Sequence, residues 1–84
     1  MKLDKMKIAA YLNDHIGDEM STYQLMEDCF GEEFCSQIDQ VEWFDIEKEL
    51  TDIAKKEGIV LDKSKYANKL IGLSYVIKFV IKGK

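Results

Sequence analysis

The chain has 84 residues, a net charge of −4 and an ordinary globular mix of 46% hydrophobic and 33% charged residues, which excludes a disordered or low-complexity protein. One domain is expected at this length, with a thin core that buries roughly 60–65% of the unfolded surface. No apolar stretch approaches the ~20 residues that span a bilayer, no apolar signal-peptide core follows the basic amino end, and Cys29 and Cys35 are too few for a disulfide framework and lack zinc-site spacing, so no membrane partner, a cytoplasmic location and reduced core thiols are expected.

The first predicted element is a helix over 3–16. Ile8, Leu12 and Ile16 recur every four residues with Met6 and Ala9 beside them, forming one apolar stripe. Gly17 follows where a left-handed residue would close the helix. A second helix, over 21–30, starts from a capping box of Ser21 and Gln24 and a hydrophobic staple of Met20 on Leu25. Its buried face is Leu25, Met26, Cys29 and Phe30. Gly31 ends it, and Glu32 to Gln37 form a further short turn around Phe34 and Cys35. A third helix, over 40–57, repeats the same start with Asp39 and Glu42 as the box and Ile38 and Trp43 as the staple. Trp43, Ile46, Leu50, Ile53 and Ala54 then recur at helical spacing. Lys55 and Lys56 complement the dipole in the last turn, and Gly58 ends it.

After Gly58 the apolar period shortens from 3.6 to 2. Ile59, Val60 and Leu61 make a short strand. From Ile71 to Ile81 the odd residues are apolar or aromatic, the pattern of a half-buried strand. Asp62 to Lys69 is polar and reads as the tip, so 59–82 is expected to be a β-hairpin with a bend near Gly72 to Ser74. Val76 and Val80 face away from the odd row, which predicts a last strand covered on both sides, within the fold or by a second copy in a homodimer.

The expected fold is α+β: a three-helix bundle followed by a carboxyl-terminal antiparallel β-hairpin. This order resembles that of winged helix-turn-helix proteins, over most of the chain. The resemblance implies a scaffold helix at 3–16, a helix-turn-helix pair at 21–30 and 40–57, and a wing at 59–82. The end of the chain also resembles a carboxyl-terminal run of small bacterial proteins in which prolines flank a Tyr-containing strand; Ser74 and Lys78 stand at those points here. The connection from Gly31 to Asp39 is longer than the usual three- or four-residue turn.

Charge divides the chain by segment. Residues 14–52 hold thirteen of the sixteen acidic residues against Lys48 alone, a net of −12, whereas residues 53–84 hold eight lysines against Glu57 and Asp62, a net of +6. The single histidine, His15, reads as a helix-end residue stabilised by the dipole when protonated, rather than as a catalytic or metal-binding group beside Asp14, Asp18 and Glu19. There is no nucleophile elbow, phosphate loop, dinucleotide fingerprint or calcium loop. No catalytic, metal or cofactor-binding residue is therefore assigned, and no enzyme activity is expected.

The resemblance implies that the third helix reads a DNA groove while Lys63, Lys65 and Lys69 on the wing meet phosphates. The helix itself argues otherwise. Its first half carries Asp39, Glu42, Asp45, Glu47 and Glu49 against Lys48, and the chain has no arginine for bidentate reading of guanine. The first expectation is thus a non-enzymatic protein-interaction or regulatory module whose acidic helical face docks on a basic protein partner. Phe44, Asp45, Glu49 and Asp52, on the outward side of the third helix, are its candidate contacts. Phe44 lies about 100° round from Trp43, which exposes it as an anchor with Val41 or Tyr23 nearby. A DNA-binding transcriptional regulator is the alternative. An inhibitor that mimics DNA is the lesser one.

Overall fold

A computed structural model describes residues 3–65 and 78–83. Along them run α1 (Lys5–Asp14), β1 (Glu19–Ser21), α2 (Thr22–Phe30), α3 (Glu32–Ser36), α4 (Gln40–Lys56), β2 (Val60–Asp62) and β3 (Lys78–Lys82). The class is α+β, with a fourth, five-residue helix added to the three expected. Lys69, the rest of the expected tip, the bend near Gly72 to Ser74, and Val76 lie outside the described residues.

The Asp4 carboxylate accepts the Lys7 N–H at 3.1 Å, so α1 starts at Lys5 rather than at residue 3. It ends two residues sooner than expected because the turn after it is bound to β3. The Gly17 N–H donates to the Ile81 carbonyl at 2.6 Å, and the Ile81 N–H donates to the Asp18 carbonyl at 2.9 Å. Gly17 takes φ +94° to make that turn. The apolar stripe stops with it: Ile8 and Leu12 are fully buried, whereas Ile16 is 45% exposed.

β1 is a strand that periodicity did not reveal. Met20, expected only as a staple, is buried and sits opposite Phe79 in an antiparallel register. β2 pairs with the other side of β3, with Leu61 opposite Ile81. The sheet order is β1-β3-β2. Among the described residues the antiparallel β2–β3 pair thus gains a third strand, β1, and β3 is the central one. Phe79 and Ile81 are fully buried and join the helices' core cluster, while Val80 between them is partly covered. β1 pairs along one edge of β3 at Lys78–Val80, and β2 along the other at Val80–Lys82.

Helix starts follow the sequence closely. Ser21 Oγ accepts the Gln24 N–H at 3.1 Å, but the Gln24 side chain donates to Asp28 at 2.8 Å instead of turning back, so only half the expected box forms. At α4 both halves form: Asp39 accepts the Glu42 N–H at 2.8 Å, and Glu42 accepts the Asp39 N–H at 3.3 Å. The expected row of α4 is buried throughout. Cys29 and Cys35 are buried free thiols, and burial pushes the Cys29 thiol up to about 11.

Candidate functional site

Each residue of a helix turns about 100° from the last, so the buried row of α4 leaves the opposite arc to solvent. Val41 is 70% and Phe44 57% exposed on that arc. Asp45, Lys48 and Asp52 are exposed there too, and Glu49 is half-buried. Glu42, Asp45, Glu49 and Asp52 follow one another at intervals of three, four and three residues. They make one carboxylate row about 15 Å long. This row borders the seam between α1 and α4, where Leu3 and Ile46 lie beneath it.

The expected site therefore divides. Asp45, Glu49 and Asp52 stand together, joined by Glu42, which the sequence marks as a cap and part of the helix's negative charge but not as a candidate contact. Phe44 is about 140° round from Glu49, on the other shoulder of α4. Its surface companion is Val41, one turn away. Tyr23 does not complete that patch, because its ring packs against Trp43 at 5.5 Å between centroids.

Of the candidate phosphate contacts, the two among the described residues, Lys63 and Lys65, are engaged with carboxylates. Lys63 lies 3.3 Å from Glu47 of α4, and Lys65 lies 3.2 Å from Glu19 of β1. Lys82 lies 2.6 Å from Asp62. Hydrogen bonds from Lys82 and then Ser64 hold the Asp62 carboxyl well below the usual carboxylate range. Exposed pairs of this kind contribute only ~0–1 kcal/mol to stability. Each nevertheless places a negative group beside a cation that a phosphate would have to reach.

His15 is the C-cap of α1. Its Nδ1 lies 2.7 Å from the Tyr11 carbonyl, which only accepts, so Nδ1 carries the proton. The imidazole stacks on the Tyr11 ring with centroids 3.8 Å apart. The Tyr11 hydroxyl donates to Asp28 at 2.5 Å, and burial together with that carboxylate pushes the phenol above its usual range. These groups tie α1 to α2. They do not form a base with a carboxylate behind it. Among the described residues no three His, Cys, Asp or Glu side chains are arranged to hold a metal ion, and no helix is long and apolar enough to cross a membrane.

Compared with protein-family models, curated proteins and solved structures, the chain matches none of them.

Proposed function

We propose that this chain is a non-enzymatic protein-interaction module of winged-helix-like architecture, whose partner is a basic protein surface recognised by α4. The single observation that carries this reading is the make-up of the exposed arc of α4. Where a groove-reading helix needs cations, it presents Val41 and Phe44 with Asp45, Glu49 and Asp52. Carboxylates repel a polyanion, and exposed apolar side chains between charges suit a protein surface. The architecture is supported by the element order, with helices followed by the antiparallel β2–β3 pair. In that reading α2 and α4 form the helix-turn-helix pair, with α3 inserted in their long connection, and Lys63 and Lys65 open the wing.

The test pits the two partners against each other. The immobilised chain is used to capture proteins from its source cells, in wild-type form and as Asp45→Lys/Asp52→Lys. In parallel, duplex DNA is titrated at several salt concentrations. Capture that is lost in the double variant, with no DNA binding below ~100 μM at physiological salt, supports the proposal. Micromolar DNA binding that falls steeply with salt and is weakened by Lys65→Glu refutes it in favour of a DNA-binding regulator.

A further inference from the structure

Beside α1 and its amino-terminal lead-in runs a trough whose α4 wall is mainly acidic, with Lys48 and Lys56 set among the carboxylates. One section, of about 340 Å³, lies over Leu3 and Ile46, which are 8% and 3% exposed. The next, of about 260 Å³, lies over Ala9 and Ile53. Glu49 and Asp52 line both sections, so the two are continuous. Met6 stands at the rim and is 84% exposed, an apolar side chain with most of its surface in water.

The chain's own cation indicates what the wall accepts. Lys5 Nζ lies 3.7 Å from the Glu49 carboxylate, with the lysine side chain 62% exposed. So exposed a pair exchanges readily for a better-placed one. The wall's carboxylates recur once per helical turn, every ~4.5–6 Å along the axis. Basic residues one turn apart on a second helix share that interval. A simple polyamine would match the wall but leave the floor uncovered, and a polyanion would be repelled by the wall.

From this geometry we infer that the trough is the docking site for a cationic amphipathic helix of a partner protein. Its lysines or arginines meet the carboxylate row and displace Lys5. An apolar side chain between them settles over Ala9 and Ile53 beside Met6. The inference rests on the protein-docking reading of α4 and adds to it the chemistry of the partner and the shoulder it uses. The docked helix lies on the α1 side of α4, and Val41 and Phe44 on the other shoulder are left to the rest of the partner's surface.

Methyl-labelled full chain titrated by NMR at about 150 mM salt tests it. The probe is a synthetic helical peptide with three lysines one turn apart beside a row of leucines; the control has serine at every leucine. The expected result is saturable shifts at Leu3, Ile46 and Ile53 with Kd below ~1 mM. The serine peptide and the Met6→Ser variant should each bind about tenfold more weakly, which is the share of one buried apolar contact. Met6 is exposed enough that its replacement leaves the core intact. Phe44→Ala should bind as wild type. Equal affinity for both peptides, no saturation, or shifts confined to Val41 and Phe44 overturns the trough. If binding is weakened by Phe44→Ala and not by Met6→Ser, the trough falls while protein docking stands. Undiminished capture of partners by Asp45→Lys/Asp52→Lys instead brings down the docking reading itself.

Discussion

Replacing Phe79 with alanine should come close to unfolding the protein. Phe79 is fully buried in the central strand, opposite the buried Met20, and belongs to the same cluster as Leu12, Leu25 and Leu50. Truncating such a side chain costs about 3–5 kcal/mol, from lost transfer free energy plus the cavity left behind. A chain of 84 residues has a total stability of roughly 4–13 kcal/mol at the usual ~0.05–0.15 per residue. With an unfolding entropy near 2.1 cal/mol/K per residue, the same loss lowers Tm by about 17–28 °C. Val60, on the neighbouring strand but 60% exposed, serves as the control, and Val60→Ala should cost under ~0.5 kcal/mol. Equilibrium urea unfolding followed by circular dichroism measures both. If β2 and β3 were an appended hairpin standing off the helices, the two substitutions would cost similar amounts. A loss below ~1 kcal/mol for Phe79→Ala refutes the central placement of β3.

Asp39→Ala removes the half of the α4 capping box made by its carboxylate, leaving the residue-39 N–H bonded to Glu42, and should destabilise by about 1 kcal/mol in the same unfolding assay, with Asp39→Asn closer to wild type. Alkaline pH should destabilise the chain in part through Cys29, whose thiol burial pushes up to about 11. Because the unfolded thiol ionises first, stability is intact below pH ~8.5 and falls by up to about 3 kcal/mol as pH rises through the folded value, and Cys29→Ala should flatten that limb of a pH–stability curve. At the acid end the sign reverses: the depressed Asp62 carboxyl stabilises the fold above its unfolded pKa and ceases to do so as pH falls through the folded one. Lys82→Met should therefore unfold at higher pH than wild type in an acid titration. Changing Asp45, Glu49 and Asp52 together to lysine moves the net charge from −4 to +2, and should produce duplex binding with a log K against log salt slope near −3; a variant that stays inert toward DNA would show that shape, not charge, excludes it.

The sequence carried α4 almost completely, because a capping box, a staple and a row of apolar residues all name the same register there. Agreement was poorer wherever a boundary depends on a distant partner. Ile16 looked like the last member of an apolar stripe, but pairing of Gly17 and Asp18 with Ile81 ends α1 before that residue is reached. β1 has three residues and a single buried one, Met20, so it carries no alternation to detect; only its pairing with β3 makes it a strand. Gln24 had the right spacing to close a box and bonded Asp28 instead, because a side-chain amide is satisfied equally well one turn further on. The candidate site was legible residue by residue but not as a surface. Exposure of Phe44 followed from helical geometry alone. That Phe44 and Glu49 lie on opposite shoulders also follows from it, but the importance of the division appears only once α1 is seen to pack along one of them.

The same division decides how charge should be read. A net charge of −4 says little about what an approaching ligand meets, because the Debye length at physiological salt is ~8 Å, about half the length of the carboxylate row. A ligand at α4 responds to the row itself and is largely screened from lysines farther away. A phosphate brought within ~5 Å of one such carboxylate is repelled by about 1–3 kcal/mol at an effective dielectric between 80 and 20. Lys48 on the arc and Lys5, 3.7 Å from Glu49, offset only part of that repulsion. Lys63 and Lys65 cannot make up the difference unaided, since Glu47 and Glu19 stand beside them. In the winged-helix reading proposed above, the order of elements and the charge of α4 thus argue for different partners. Backbone order sets where a helix sits, and side chains set what can approach it, so for the choice of ligand the row of carboxylates carries the greater weight.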